Sequence, residues 1–349
     1  MEVFTTDQES QWHDVLGHMK AFDFYHLPSY HKLAEMHGEG VAELFVYREE
    51  EYVIAIPLIL RSISAISGLE QVEKGLNDAT SVYGYSGPIS SHENVPGSVL
   101  NNFRESLKQK LLSKNIVSLF TRLHPLLNQK QLLTGLGSIV NNGKTVSIDL
   151  SQPEETQLAQ YRKDHRAGIR KLRDIGATCE IDPDLTHLDS FIELYSRNME
   201  RVGAKAEYFF PRSYYEKLLN TSDATATLFI CSIQGEIASS SIILRCGPII
   251  QYHLSATSEK YLKNAPIKLL LDTVRHWGSE QGATTLHLGG GLGSNEDALF
   301  LFKAGFSHIR HDFLTWRWIL LENEYNALTL RKSMSDETIN DGFFPAYRK

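Results

Sequence analysis

The sequence predicts a mixed α/β (α+β) fold of two domains, each a mixed, mostly antiparallel sheet flanked by helices. Its 349 residues exceed the roughly 150 of a typical single domain. Short apolar runs of strand length alternate with segments of helical period. The same order of elements occurs in both halves, which indicates a divergent duplication.

In the first half, two short helical patterns precede a predicted hairpin with an acidic turn. The elements expected here are helices at 7–18 and 27–37, strands Leu44–Arg48 and Tyr52–Arg61, helix Gly97–Ser113, strand Ile116–Thr121, a helix near Pro125–Thr134, and strand Thr145–Leu150. Residues 151–154 combine a capping serine with an early proline, as helix starts do. We therefore expect domains over 1–150 and 151–322, followed by a C-terminal extension over 323–349.

The second half repeats the plan with clearer turn signals. The expected elements are helix Glu154–Ile175, strand Thr178–Ile181, helix Leu185–Arg201, hairpin Ala226–Ile233/Glu236–Cys246, strand Ile249–Ala256, a helix from Pro266 to Gln281, strand Thr284–Leu288, helix Glu296–Ala304, and strands over Phe306–Leu320. The two halves therefore share a hairpin, a strand, a helix and a further strand in the same order.

Composition narrows the class of protein. A 42% hydrophobic fraction with 22% charged residues predicts a folded globular protein. The net charge of −7 argues against general nucleic-acid binding, so DNA is not an expected partner. Three cysteines without metal-ligand spacing predict neither a disulfide scaffold nor a metal site. No apolar run is long enough to span a bilayer and no signal peptide is visible, so we expect a cytoplasmic protein.

The segment Thr284–Phe306 is a strand followed by a glycine-rich loop and a helix. Gly289, Gly290 and Gly291 permit close approach of a ligand to the backbone. Their spacing matches neither a P-loop nor a dinucleotide-binding fingerprint. Lys303, near the end of this helix, has two interpretations: it neutralises an oxyanion or a phosphate, or it caps the helix C-terminus against its dipole.

Two strands carry candidate histidines. Alternation places Gln251, His253 and Ser255 on one face of their strand, with Tyr252 on the other, and His287 lies on the next strand. Either histidine is a candidate proton acceptor or, alternatively, a half-buried hydrogen-bonded side chain.

The predicted helix after residue 151 carries an arginine stripe. Arg162, Arg166, Arg170 and Arg173 are spaced by four, four and three residues, which places them on one face. Guanidinium groups bind phosphate with two hydrogen bonds, so this stripe is a candidate site for a diphosphate or an RNA backbone. The alternative is a solvated helix face.

The sequence segments YHLSATS, NAP, LHLGGG and LFKAGF, in this order, resemble the FemAB-like branch of the GNAT acyltransferase superfamily, which includes BioF2-like acetyltransferase domains and aminoacyltransferases that form peptidoglycan bridges. The resemblance implies two tandem GNAT-like domains, the first for acceptor binding and the second for acyl transfer. It also implies that Phe302 and Lys303 serve donor recognition and charge stabilisation. Tyr252 would line the acceptor channel, and Tyr83 and Tyr85 would contact the acceptor. The alternatives are that Tyr252 is a core residue and that Tyr83 and Tyr85, beside Gly84, pack a turn.

The resemblance implies an acyl- or aminoacyltransferase that acts on an amine or hydroxyl of a cell-envelope or polysaccharide precursor. No tightly bound cofactor is expected; acyl-CoA or aminoacyl-tRNA would be the co-substrate, and the acceptor would be a small or lipid-linked molecule. The segment SEKYLKNAP lacks the glycines of the usual CoA loop. Two alternatives therefore stay open: an acyl-CoA- or carrier-protein-dependent N-acetyltransferase acting on a sugar nucleotide, and an inactive GNAT-like binding module.

Overall fold

A computed structural model describes residues 1–72, 75–335 and 343–349. The chain divides into two compact units. Unit 1 consists of Met1–Asn142 together with Phe313–Lys349, and unit 2 consists of Gly143–Asp312. In the part of the chain that is described, no helix has both the length and the apolar character needed to cross a bilayer.

Unit 1 is built from residues at both ends of the chain. Its strands are β1 (Glu2–Thr5), β2 (Val41–Glu49), β3 (Tyr52–Ser62), β4 (Asn77–Thr80), β5 (Ile89–Ser90) and β6 (Ile116–Arg122). Its helices are α1 (Glu9–Gly17), α2 (Pro28–Met36), α3 (Gly97–Ser113), α4 (Lys130–Leu133) and, after unit 2, α11 (Glu322–Ser335). Two strands, β7 (Ser138–Asp149) and β13 (Ile309–Ile319), cross the divisions between the units.

Unit 2 is continuous in sequence. Its other strands are β8 (Thr178–Ile181), β9 (Thr225–Ile233), β10 (Glu236–Cys246), β11 (Ile249–Thr257) and β12 (Thr285–Gly289). Its helices are α5 (Glu154–Ala159), α6 (Lys163–Asp174), α7 (Leu188–Arg201), α8 (Arg212–Leu219), α9 (Ile267–Glu280) and α10 (Ala298–Lys303).

The strands of the two units follow one pairing scheme. In unit 1 the order is β1-β2-β3-β4-β6-β13, antiparallel except for the parallel pair β4/β6, and β5 joins β3. In unit 2 the order is β8-β9-β10-β11-β12-β7, antiparallel except for the parallel pair β11/β12. The predicted fold class is confirmed, and the shared scheme is what a duplication would produce.

The last strand of each sheet comes from an unexpected part of the chain. In unit 1, residues 315–319 of β13 pair with β6, although they follow unit 2 in sequence. In unit 2, residues 146–149 of β7 pair with β12, although they precede every other strand of that unit. The compact units therefore divide at Asn142 and Asp312 rather than at the predicted 150 and 322, because an apolar pattern marks a strand but does not identify its partner.

The sheet of unit 2 is covered on one face by α9. The helix contributes three completely buried residues, Leu270, Leu271 and Val274. They pack in one hydrophobic cluster with Ile250 of β11 and Leu286 of β12, which we call the α9 cluster. Helix α9 connects β11 to β12, the arrangement that a parallel pair requires. This packing fixes the ends of β11 and β12, where the candidate site lies.

The predicted helix Glu154–Ile175 is wrong as a single helix. It consists of α5 and α6, separated by an extended residue, Arg162. The Arg162 amide donates to the Gly305 carbonyl at 2.8 Å instead of continuing the helix. No proline or glycine marks this break in the sequence, so only the tertiary contact reveals it.

The C-terminal residues are part of unit 1. Helix α11 contributes Tyr325 and Leu328 to a small cluster that also contains Tyr347 and Val117. Tyr347 is completely buried, and its hydroxyl lies 2.7 Å from the Ser118 Oγ. Part of the predicted extension, residues 336–342, lies outside the described residues.

Candidate active site

Strands β11 and β12 pair only at their beginnings. The parallel register joins Ile249–Gln251 to Thr285–His287, whereas β11 continues to Thr257. Opposite β10, Ile242 faces Leu254 and Ile243 faces Tyr252, so His253 is the extra residue of a β-bulge. We expected Gln251, His253 and Ser255 to share one face of the strand. That expectation is wrong, because the bulge at His253 interrupts the alternation of side chains.

Tyr252 lies on the core side of β11. Its ring packs against the α9 cluster, and its hydroxyl donates to the Ser255 Oγ at 2.5 Å. Burial raises the pKa of Tyr252 to about 12. The phenol is therefore neutral near pH 7 and serves as a hydrogen-bonding group.

His287 and Gln251 form a buried pair on adjacent strands. The two side chains are 0% and 1% exposed, and the His287 Nδ1 donates to the Gln251 Oε1 at 2.7 Å. This bond favours the neutral tautomer with its lone pair on Nε2. The pairing of β11 with β12 therefore brings the side chains of Gln251 and His287 into contact.

Two neighbours of this pair are not predicted from the sequence. Ser147 of β7 lies directly opposite His287 in the antiparallel register. Its hydroxyl is 2.7 Å from the Nε2 of His311 on β13. The alternation of Thr145, Ser147 and Asp149 with apolar residues along β7 was the available signal.

His253 is held in its neutral form. Burial lowers its pKa to about 3, because the charged imidazolium loses its hydration there. A base with so low a pKa accepts a proton weakly near neutrality. This property makes His253 a poor candidate for the proton acceptor, and its role stays a prediction.

Lys303 closes helix α10 and is only 8% exposed. Its Nζ donates to the Gly290 carbonyl at 2.7 Å and lies 5.7 Å from the centre of the Tyr252 ring. Burial lowers the pKa of Lys303 to about 8, while the carboxylate of Asp297 opposes this shift. The ammonium is thus still mostly protonated at pH 7.

The glycine-rich loop is tightly packed. Gly289 has a φ of +75°, in the left-handed region. A Cβ on Gly290 would lie 2.9 Å from the Lys144 carbonyl oxygen, and one on Gly291 would lie 2.1 Å from the Asn295 carbonyl oxygen. These glycines are required by backbone packing, whether or not a ligand binds them.

The Phe302 side chain packs against two other rings. Its ring lies 5.3 Å from the His165 ring and 5.5 Å from the Phe306 ring, measured between centres. Its carbonyl oxygen is 2.9 Å from the His165 Nε2. Phe302 thereby anchors α10 to α6, which fixes the position of the neighbouring Lys303.

The arginine stripe divides into paired and unpaired members. Arg162 is 3.4 Å from Asp164, and Arg173 donates to Asp272 at 2.8 Å. Arg166 and Arg170 are exposed and, within the described ranges, the guanidinium group of neither has a hydrogen bond or an ion pair. Helix α6 therefore presents two solvent-exposed guanidinium groups without a side-chain partner among the described residues.

Backbone amides at the start of α9 already donate to carbonyls of the chain, so they do not form a phosphate-binding loop. The preceding segment Glu259–Asn264 is a 3-10 helix, whose tight turns consume amide donors. The amides of Lys268 and Leu269 also donate within the chain, to Ala265 and Pro266. This geometry agrees with the absence of glycines in the segment.

Tyr83 and Tyr85 belong to an aromatic cluster of unit 1. The Tyr83 carbonyl accepts a hydrogen bond from the Tyr30 hydroxyl at 2.9 Å. The Tyr85 ring packs edge-on against Tyr25 and Phe313, at 5.9 and 5.6 Å. Both tyrosines are half-buried, and their contact with an acceptor stays a prediction.

Comparison with known proteins identifies the type of domain. Residues 159–297 match the family model described as an acetyltransferase (GNAT) domain. No curated protein matches the sequence.

Solved structures share the fold over nearly the whole chain. FemX is 14% identical with a TM-score of 0.65, over 94% of this chain and 99% of that chain. The C-terminal domain of a protein named lysylphosphatidylglycerol synthetase from Agrobacterium fabrum is 14% identical with a TM-score of 0.55, over 93% and 98%. L-PGS from Bacillus licheniformis is 16% identical with a TM-score of 0.53, over 88% and 91%.

Proposed function

We propose that this chain, an acyltransferase with a GNAT domain and a FemX-like fold, transfers an aminoacyl group from an aminoacyl-tRNA ester to an amine or hydroxyl of a cell-envelope or polysaccharide precursor. Unit 2 carries the transfer, and unit 1 binds the acceptor. The observation that carries the proposal is the buried ammonium of Lys303, next to the point where β11 and β12 cease to pair.

Lys303 supplies charge stabilisation. When the acceptor attacks the ester carbonyl, the carbonyl oxygen gains negative charge, and a positioned cation in a dry site lowers the energy of that state. The new acyl–N or acyl–O bond forms as the acyl–O bond to the ribose breaks. The ribose oxygen then takes up the proton that the attacking nitrogen or oxygen loses.

Neither histidine contacts the reacting atoms in this proposal. His253 is too weakly basic near pH 7, and His287 is completely buried. An amine acceptor therefore reacts as its neutral form after losing its proton to water. Most of the acceleration comes from holding donor and acceptor in the reactive orientation.

Two features favour tRNA as the donor. The start of α9 offers no glycine amides for a pyrophosphate. Arg166 and Arg170 present two unpaired guanidinium groups, which suit an RNA backbone. Gly289, Gly290 and Gly291 would lie along the donor's path to Lys303.

A second candidate is an N-acyltransferase that takes its acyl group from acyl-CoA or an acyl-carrier protein. The match of residues 159–297 to an acetyltransferase domain favours it. The acceptor would then be a sugar nucleotide, and the same Lys303 would stabilise the thioester oxyanion.

The acceptor is assigned to unit 1 through Tyr83 and Tyr85. Half-buried tyrosines present both an apolar ring and a hydroxyl, which suits a sugar or a lipid-linked headgroup. One relative by fold is named for the synthesis of lysylphosphatidylglycerol, an aminoacylated lipid. That name supports a lipid-linked acceptor.

The donor is tested by parallel equilibrium titrations with charged tRNA and with CoA at physiological salt. Saturable binding of charged tRNA alone supports the proposal. Binding of CoA alone replaces it with the second candidate. Binding of neither directs the test to acyl-carrier protein and contradicts the tRNA assignment.

A further inference from the structure

Cys179 and Cys231 lie directly opposite each other on the antiparallel strands β8 and β9. Opposed residues of such a pair point to the same face, with Cα atoms about 4.5 or 5.5 Å apart. Both values fall inside the Cα separation of about 4.4–6.8 Å that disulfides span. The backbone therefore needs no rearrangement to join the two sulfurs.

The side chains already interact. Both cysteines are free thiols, and they hydrogen-bond to each other. Their hydrogen bond lowers the pKa of Cys231 and, together with burial, raises the pKa of Cys179. Oxidants react with the thiolate, so Cys231 is the sulfur that is oxidised first, and the neighbouring Cys179 thiol is in place to form the S–S bond.

Access to the pair is one-sided. Cys231 is completely buried in the α9 cluster, whereas Cys179 is half-buried at the edge of it. Strand β8 is the edge strand of the unit 2 sheet. A small oxidant can therefore enter on the Cys179 side of the pair, whereas larger reagents are kept from the buried Cys231.

We propose that Cys179 and Cys231 form a reversible disulfide, with peroxides as the class of oxidant. Peroxide oxidises one thiolate to a sulfenic acid, and the other thiol displaces water from it. Overall, two S–H bonds are lost, one S–S bond forms, and hydrogen peroxide is reduced to two molecules of water. A dithiol reductant reverses the step.

The disulfide would restrain a defined part of unit 2. It closes a covalent loop from residue 179 to residue 231, which contains α7 and α8. Joining distant residues reduces the freedom of the unfolded chain, so the oxidised protein should unfold at a higher temperature. This inference does not depend on the identity of the donor or the acceptor.

The test is intact-mass spectrometry of the folded protein after treatment with hydrogen peroxide. Wild type and Cys246→Ser, the control with the third thiol removed, should lose the mass of two hydrogen atoms and show a linked peptide pair. Cys179→Ser and Cys179→Ala should not form this link. Dithiothreitol should restore the mass, and the oxidised protein should melt at a higher temperature.

Three results would overturn the proposal. They are gain of oxygen on Cys179 without a link, disulfides only between molecules, and a link that forms only in denaturant. Circular dichroism of each variant establishes that the protein is folded before oxidation. If Cys179→Ser is unfolded, Cys179→Ala and the peptide map of wild type decide the question.

Discussion

Lys303 is both buried and charged. Buried lysines are usually paired with a group of opposite charge. Within the described residues its hydrogen-bond partner is a neutral carbonyl, that of Gly290, rather than a carboxylate. The Lys303 ammonium therefore loses hydration on folding without a hydrogen-bonded carboxylate to compensate for that loss. Such an arrangement suits a site where negative charge develops only during reaction.

Burial also affects a histidine of unit 1. His31 is completely buried in unit 1, its Nδ1 donates to the Leu27 carbonyl at 2.9 Å, and burial lowers its pKa to about 4. The unfolded chain takes up a proton near the usual pKa of about 6.5. Between these two values the unfolded state binds more protons, so acid favours unfolding.

We predict that the free energy of unfolding falls as the pH is lowered from about 6.5 to 4. His31 contributes a slope of up to about 1.4 kcal/mol per pH unit in this window. His31→Gln, which keeps a donor but does not titrate, should reduce the slope. Denaturant unfolding at several pH values measures it, with the surface variant His308→Gln as the control. An unchanged slope in His31→Gln would contradict the assignment.

At the level of elements, the contact between α6 and the end of α10 holds Lys303 in place. The Gly305 carbonyl accepts from the Arg162 amide, and a Cβ on Gly305 would lie 2.4 Å from the His165 Nε2. Helix α6 can approach α10 this closely because residue 305 has no side chain.

We predict that Gly305→Ala destabilises unit 2 by about 1–3 kcal/mol, as other overpacking substitutions do. The matched control is Gly97→Ala in α3, where an added Cβ meets no atom within 4 Å. Thermal unfolding compares the two variants. Equal stability would show that α6 moves away from α10 at little cost.

The exposed arginines of α6 give an element-scale test of RNA binding. We predict that Arg166→Ala/Arg170→Ala weakens binding of charged tRNA and lowers the salt dependence of log Kd by up to about two, because each phosphate contact contributes roughly 0.9. The control is Arg197→Ala/Arg201→Ala on α7, where the removed guanidiniums already bond to Glu193 and Asn198. Identical salt dependence in both variants would reject α6 as the RNA surface.

Periodic elements were predictable from the sequence, whereas irregularities were not. Helix α3 and strand β8 occur at the predicted residues because their apolar spacing is regular. The missed strand β4 has the sequence NDAT, whose single apolar residue shows no alternation. The bulge at His253 is defined by the register of β11 against β10, and the break at Arg162 coincides with its hydrogen bond to Gly305. A local apolar pattern contains neither contact.

The candidate site was predictable in part for the same reason. Alternation placed Gln251 near His287, and their hydrogen bond is found. His311 escaped notice because its partner, Ser147, is more than 160 positions away in sequence.

At the scale of the whole molecule, both units have the same strand plan, and the last strand of each comes from an end of a segment of its own unit. The paired residues of β7 lie at the start of unit 2, and those of β13 lie at the start of the unit 1 segment that follows unit 2. Unit 2 contains all six of its paired strands within residues 143–312. Unit 1 needs residues 313–349 for its strand β13 and for the completely buried Trp316 and Tyr347.

We predict that a fragment of residues 143–312 folds cooperatively, whereas a fragment of residues 1–142 does not. The second fragment lacks a strand and large buried side chains, whose removal singly costs about 3–5 kcal/mol each. Circular dichroism and thermal melts of the two fragments test this. A cooperative melt of residues 1–142 alone would show that β13 is dispensable.

The most direct test of the account compares the single-turnover transfer rate of wild type, Lys303→Met and Lys303→Arg, with the donor bound at saturation, across pH 6 to 10. Since the pKa of Lys303 is about 8, the ratio of the wild-type rate to the Lys303→Arg rate, in which the ionisation of the acceptor cancels, should fall as the pH rises through that value. Lys303→Met should be slower by about 100-fold or more, as when other oxyanion donors are removed. Lys303→Arg should keep more activity and lose the decline near pH 8, because arginine stays charged. A rate that is unchanged in Lys303→Met, with the control Lys217→Met also unchanged, would contradict the assignment of Lys303 to the transfer step.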